Sequence, residues 1–128
     1  MVVFATTAGT PWFDDADALS NRPVLLHLSL RDLDPAIIRS GANYVDDIAH
    51  ATRAGTSLEL AFQLYGEKEI TIADVPTLLA GEAPWSGRQT AIFSPFGLGM
   101  LDIALADFVL RKAMEAEVGR LLPDFSSE

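Results

Sequence analysis

Phe93-Ser94-Pro95-Phe96-Gly97-Leu98-Gly99-Met100-Leu101-Asp102 is the stretch on which the fold turns. Thr90-Ala91-Ile92-Phe93 is short and apolar, as a strand inside a parallel sheet is. Pro95 has no N–H for a sheet ladder, so Ser94-Pro95 ends the strand. Gly97 and Gly99 permit a sharp turn, and the apolar run from Leu98 to Met114 then reads as a long helix. A strand passing through a glycine turn into a helix leaves free N–H groups at the carboxyl edge of a sheet. That edge is where open α/β sheets bind ligands.

Upstream, the same alternation recurs. Val2 to Thr6 is β-branched and apolar, and reads as a strand. Val24-Leu25-Leu26-His27-Leu28-Ser29-Leu30 is apolar on both faces apart from His27 and Ser29, so it reads as a strand covered on both sides. Asp34 as N-cap, Pro35 in the first turn and Gly41 at the end delimit a compact helix. Asn43 to Asp46 is a third strand. Further helices are expected over 47–54, capped by Asp47, over 58–65, opened by the Thr56-x-x-Glu59 capping box, and over 75–80. Trp12 to Leu19 is short helical or irregular. The sum is an α/β fold: a truncated Rossmann-like parallel sheet of about four strands with a long C-terminal helix. Residues 1–122 form the domain, and 123–128 read as a flexible tail.

The 128 residues are 49% hydrophobic and 21% charged, which suits one globular domain with a real core. No cysteine is present, so disulfides, thiol nucleophiles and cysteine-based metal sites are excluded. A net charge of -9 argues against nucleic acid or an anionic membrane as partner. Asp102, Asp107, Arg111 and Lys112 interrupt the Leu98–Met114 run, which therefore reads as a buried helix rather than a membrane span. No basic segment with a hydrophobic run opens the chain, so a cytoplasmic setting is expected.

Neither a Gly-x-Gly-x-x-Gly fingerprint nor a P-loop occurs. His27 and His50 are the only histidines, and no spacing suggests a metal. The densest polar cluster is His27-Leu28-Ser29-Leu30-Arg31-Asp32, at a strand's carboxyl end. It shares that layer with Thr6-Thr7, Asp46-Asp47 and Ser94. Two readings stand. These strand ends form a ligand crevice, or Asp32 and Asp34 cap a helix, Arg31 pairs with a nearby acid and His27 is a satisfied core residue. Asp46-Asp47 likewise either binds a cation or caps the following helix.

Val3 to Ala8, His27 to Leu33, Val45-Asp46-Asp47 with Thr56-Ser57, and Phe93 to Asp102 occur in an order and spacing that resembles the ornithine cyclodeaminase/mu-crystallin family. Within it the likeness is to the N-(1-amino-1-carboxy-2-ethyl)-glutamic acid dehydrogenases of 2,3-diaminopropionate biosynthesis, in siderophore and antibiotic pathways. It spans Val2 to about Ala113 and covers only the carboxyl-terminal portion of such a protein.

The resemblance implies the second half of an NAD-binding domain. Thr6, Thr7, His27, Leu28, Ser29, Ser94, Pro95, Phe96 and Gly97 would line the nicotinamide side, and Asp32, with Arg31 and His27, would be the catalytic candidates. It implies NAD as cofactor and a small amino-acid-like ligand, in a fragment or split subunit of an NAD-dependent amino-acid dehydrogenase. Without the first half, the Val2–Thr6 edge would be open and apolar, so a homodimer or a chain supplying that half is expected. The last helix would add interface area. A stand-alone cofactor-free binding module, or an enzyme reusing the crevice without NAD, are the alternatives.

Overall fold

A computed structural model describes residues 1–53, 55–120 and 122. The expected tail at 123–128 lies outside the described residues. The chain divides into two compact units, Met1–Phe96 and Gly97–Glu128.

The first unit is an all-parallel sheet of five strands: β1 (Val2–Phe4), β2 (Val24–His27), β3 (Ala42–Val45), β4 (Ile72–Asp74) and β5 (Ala91–Ser94). Their spatial order is β1-β2-β5-β3-β4, and every pairing is parallel. The last strand of the chain therefore slots between β2 and β3, which do not pair with each other. The additional strand relative to the sequence reading is β4, whose three residues end in the cap of the next helix and were too short to show a period of their own.

Helices fill the crossovers: α1 (Pro35–Ser40), α2 (Ile48–Ala51), α3 (Ser57–Tyr65) and α4 (Val75–Leu79). Their limits follow local chemistry. Asp34, Asp47, Thr56 and Asp74 each accept a backbone N–H in the first turn. The box at Thr56 closes one residue early, because Glu59 accepts from the N–H of Gly55 rather than of Thr56. Gly41 ends α1 at an ordinary φ of -95°. A glycine is needed there for space, since a Cβ would stand 2.5 Å from the Ile92 Cδ1.

The sheet has two unequal faces. On one, α1 and α3 bury Ile37, Ile38, Leu58 and Ala61 against Phe4, Leu25, Val45 and Ile92. Each fully buried aliphatic side chain there contributes about 1.5–3 kcal/mol. On the other, α4 supplies Leu78 to a small cluster of Ala42, Tyr44, Ala73, Ala91 and Phe93. Both placements follow from right-handed crossovers: connections running from β2 towards β4 lie on the first face, and the return from β4 to β5 lies on the second.

The second unit opens at Gly97, with φ of +84°, and carries α5 (Gly99–Glu115). The expectation of a buried helix is not met, for none of its residues is buried. Met100, Leu101, Ile103, Leu105, Phe108, Val109, Leu110 and Met114 are all more than half exposed. Asp107 and Arg111 pair one turn apart, and so do Lys112 and Glu115. Among the described residues, no helix is long and apolar enough to cross a membrane.

Candidate functional site

In a parallel sheet the carboxyl ends of adjacent strands form one rim. The order β1-β2-β5-β3 therefore sets Thr6, His27, Ser94 and Asp46 side by side. The register agrees, pairing Phe4 with His27 and Val45 with Ser94. Their alignment follows from the order in which the chain lays its strands, not from their distance in sequence.

Asp32 is the hub of this rim. It is completely buried. Thr6 donates its hydroxyl to Oδ1 at 2.5 Å, and Ser29 donates to Oδ2 at 2.6 Å. The Asp32 carbonyl also accepts the N–H groups of Trp12 and Phe13, each at 3.0 Å. Burial alone raises a carboxyl's pKa. The bonds from Ser29 and Thr6, with the Trp12 indole and His27 nearby, outweigh that and hold Asp32 below the ordinary carboxylate range. Asp32 is thus buried and ionised: its carboxylate joins the ends of β1 and β2, and its carbonyl holds the loop carrying Trp12.

His27 is 3% exposed. Its Nδ1 lies 3.1 Å from the Ser94 hydroxyl, and the ring packs edge-on to Phe4. Burial lowers its pKa to about 4 against the opposing pull of Asp32, so the ring is neutral at pH 7. Its Nε2 is buried with no hydrogen-bond partner among the described residues. Such an orphan is a costly feature for a protein to keep.

The other expected site residues are placed as follows. Thr7 and Leu28 are exposed beyond the ends of β1 and β2, while Ser29 and Ser94 are buried. Pro95 and Phe96 follow β5, and the Phe96 N–H is held by the Asp46 carboxylate at 2.9 Å. Gly97 begins the second unit. Arg31 donates from Nη1 to the Gly9 carbonyl at 2.9 Å and from Nε to the Gly55 carbonyl at 2.5 Å, strapping two loops together. Asp34 and Asp47 are helix caps. Trp12 was missed from the sequence. It stands twenty residues from Asp32, and no local pattern joins the two.

No protein-family model matches the chain, and no curated protein matches it. Solved structures do. A probable ornithine cyclodeaminase from Bordetella pertussis Tohama I superposes with a TM-score of 0.74 at 26% identity, over 94% of this chain and 41% of that one. Thermococcus litoralis Δ1-pyrroline-2-carboxylate reductase, solved with NADH and L-proline, superposes with a TM-score of 0.66 at 18% identity, over 80% and 38%. The second likeness is one of fold. The chain thus spans less than half the length of either enzyme.

The fit to a dinucleotide is divided. The rim offers exposed Thr7 and Leu28 at the ends of β1 and β2, with room for a carboxamide-bearing ring. No glycine-rich turn is present to hold a pyrophosphate.

Proposed function

We propose that this chain is the nicotinamide-side half of an NAD(H)-dependent oxidoreductase of the ornithine cyclodeaminase/mu-crystallin type. The observation that carries this is the rim itself: the adjacent parallel ends of β1, β2 and β5 converge on an ionised Asp32 and a neutral His27. The NADH held by a structural neighbour supports the cofactor class. Bound there, the nicotinamide would accept or supply a hydride.

In this reading, Thr7, Leu28 and the Ser94–Phe96 turn border the ring, and the buried His27 supports them from below through its bond with Ser94. Asp32 fixes Thr6 and Ser29, and its charge favours a positively charged, amino-acid-derived substrate. Arg31 holds the loops that flank it. The motifs from His27 to Leu33 and from Ser94 to Gly99 support the finer assignment to 2,3-diaminopropionate formation.

The test is titration of the isotope-labelled chain with reduced nicotinamide mononucleotide, which needs no adenosine or pyrophosphate contact. Saturable shifts at the Thr7, Leu28 and Ser94 amides, with a Kd of about 1 mM, are expected for so partial a site. Absence of those shifts defeats the reading. The near-complete burial of His27, Ser29, Asp32 and Ser94 would then favour a cofactor-free binding module.

A further inference from the structure

A cavity of about 230 Å³ lies against the sheet face that α4 covers, at the end away from the Asp32 rim. Ala42, Tyr44 and Ala73 form its floor, and Thr71, Ser86 and Gln89 stand around it. Ala42 opens β3, Thr71 precedes β4 and Gln89 precedes β5, so the cavity sits at the amino ends of the strands. Every residue that lines it belongs to the first unit, and none is charged.

Drug-sized ligands fill cavities of about 300–1,000 Å³, so this one suits a molecule built on a single ring or a short branched chain. Two alanines on the floor leave a flat apolar surface for it. Tyr44 is buried, and its hydroxyl reaches the Ala83 carbonyl only at 3.4 Å. So long a bond is weak, and the hydroxyl can turn to a ligand at little cost.

The loop of residues 83–89, which walls the cavity, brings charge to its mouth. Arg88 belongs to this loop. Arg22 reaches it from 65 residues away, donating from Nη1 to the Gly87 carbonyl at 3.3 Å. That contact leaves most of the guanidinium's N–H donors unused. The chain holds 18 acidic and 9 basic residues, yet among the described residues neither arginine pairs with a carboxylate. Arg22 also sits in a costly conformation. Its φ is +51°, in the left-handed region that glycine adopts without strain. Its N–H closes a turn on the Leu19 carbonyl at 2.8 Å, a task for which glycine would serve as well. What arginine adds at this position is its side chain.

From this we infer that the cavity is a second binding site, for a small organic carboxylate with a flat apolar body. The body lies on Ala42 and Ala73, the Tyr44 hydroxyl donates to the ligand, and Arg22 and Arg88 hold the carboxylate at the mouth. A neutral ligand would leave the two arginines unused, and a bare inorganic anion would leave the apolar floor unused. The site shares no residue with the Asp32 rim, so it stands or falls apart from the functional reading above.

The test is NMR titration of the isotope-labelled chain with benzoate, benzamide and inorganic phosphate. It is read at the amides of residues 42–44, 71–73 and 85–89 and at the Trp85 indole N–H, which is bonded to the Gln89 carbonyl at 2.8 Å. Benzoate is expected to give saturable shifts there with a Kd of about 1 mM, while the Thr7 and Leu28 amides stay still. Benzamide and phosphate should each bind roughly tenfold more weakly, the one lacking the charge and the other the ring. Arg22→Gln and Arg88→Gln should each weaken benzoate several-fold and leave the melting of the chain unchanged, and Ala73→Leu, which fills the floor, should abolish the shifts. The proposal is overturned by an absence of saturable shifts with benzoate, by benzamide or phosphate binding as tightly as benzoate, or by a double Arg22→Gln, Arg88→Gln variant that binds benzoate as the wild type does.

Discussion

Thr6, just past the end of β1, donates its hydroxyl to Asp32, 26 residues farther on, at 2.5 Å. That bond, the one from Ser29 to the same carboxylate, and the Trp12 and Phe13 N–H groups on the Asp32 carbonyl gather three segments onto one residue. Asp32→Ala strands the Thr6 and Ser29 hydroxyls. It should destabilise the chain by about 3 kcal/mol, read from urea denaturation. Asp32→Asn keeps the shape and loses the charge, so it should cost less. An equal loss in both variants would mean that the charge, and not the shape, carries the whole effect.

The same carboxylate sets a pH dependence. Asp32 has a folded pKa below its ordinary value of 3.8. The folded state therefore gains from its ionisation above pH 3.8, and that gain is lost as pH falls through the folded value. The acid unfolding midpoint of the wild type should be steeper in pH than that of Asp32→Asn.

His27 acts in the same direction at higher pH. Its folded pKa of about 4 lies below 6.5, so between those values the unfolded chain binds the proton more tightly. Its contribution is fully present above pH 6.5 and is lost on acidification towards pH 4. The full loss is about 3 kcal/mol. His27→Gln should flatten the stability profile in that window, and the His27 ring should titrate near 4 by NMR. A ring titrating near 6.5 would show that it is reached by water.

Gly41 leaves no room for a side chain. Gly41→Ala puts a methyl 2.5 Å from the Ile92 Cδ1 and 3.2 Å from the Thr90 carbonyl. A loss of about 1–3 kcal/mol is expected by thermal unfolding. Gly9→Ala, with nothing within 4 Å of its Cβ, is the control and should change little.

Arg31→Lys keeps the charge and loses the rigid fork that reaches both the Gly9 and Gly55 carbonyls. Amide exchange should quicken in residues 8–11 and 55–57 together. Quickening in one loop alone would show that the strap does not couple them.

The parallel sheet and the helix limits were legible because their causes are local. Asp34-Pro35, Thr56-x-x-Glu59 and the Ser94-Pro95 stop act within a few residues. Strand lengths were overdrawn at β1 and β2, since apolar residues such as Leu28 and Leu30 continue beyond the last paired position. The rim was legible as a set of strand ends, because parallel strands must align them. Its wiring was not. Trp12 to Asp32 and Asp46 to Phe96 are long-range bonds with no periodic signature, and Arg31, which reads as a candidate for chemistry, is bonded to two loop carbonyls. The exposure of α5 was equally invisible, because an apolar helix has the same sequence whether or not it is covered.

The position of β5 has a consequence for how the chain comes to be folded. β2 and β3 flank a gap that only residues 91–94 fill, and Ile92 in that gap is wholly buried. While the chain is being synthesised, β1 with β2 and β3 with β4 can form only as two separate ribbons. They merge when the segment after Thr90 leaves the ribosome. Until then Leu25 and Val45 have no central strand between them, and a nascent chain stopped at residue 90 should be cut readily by protease where one stopped at 97 resists.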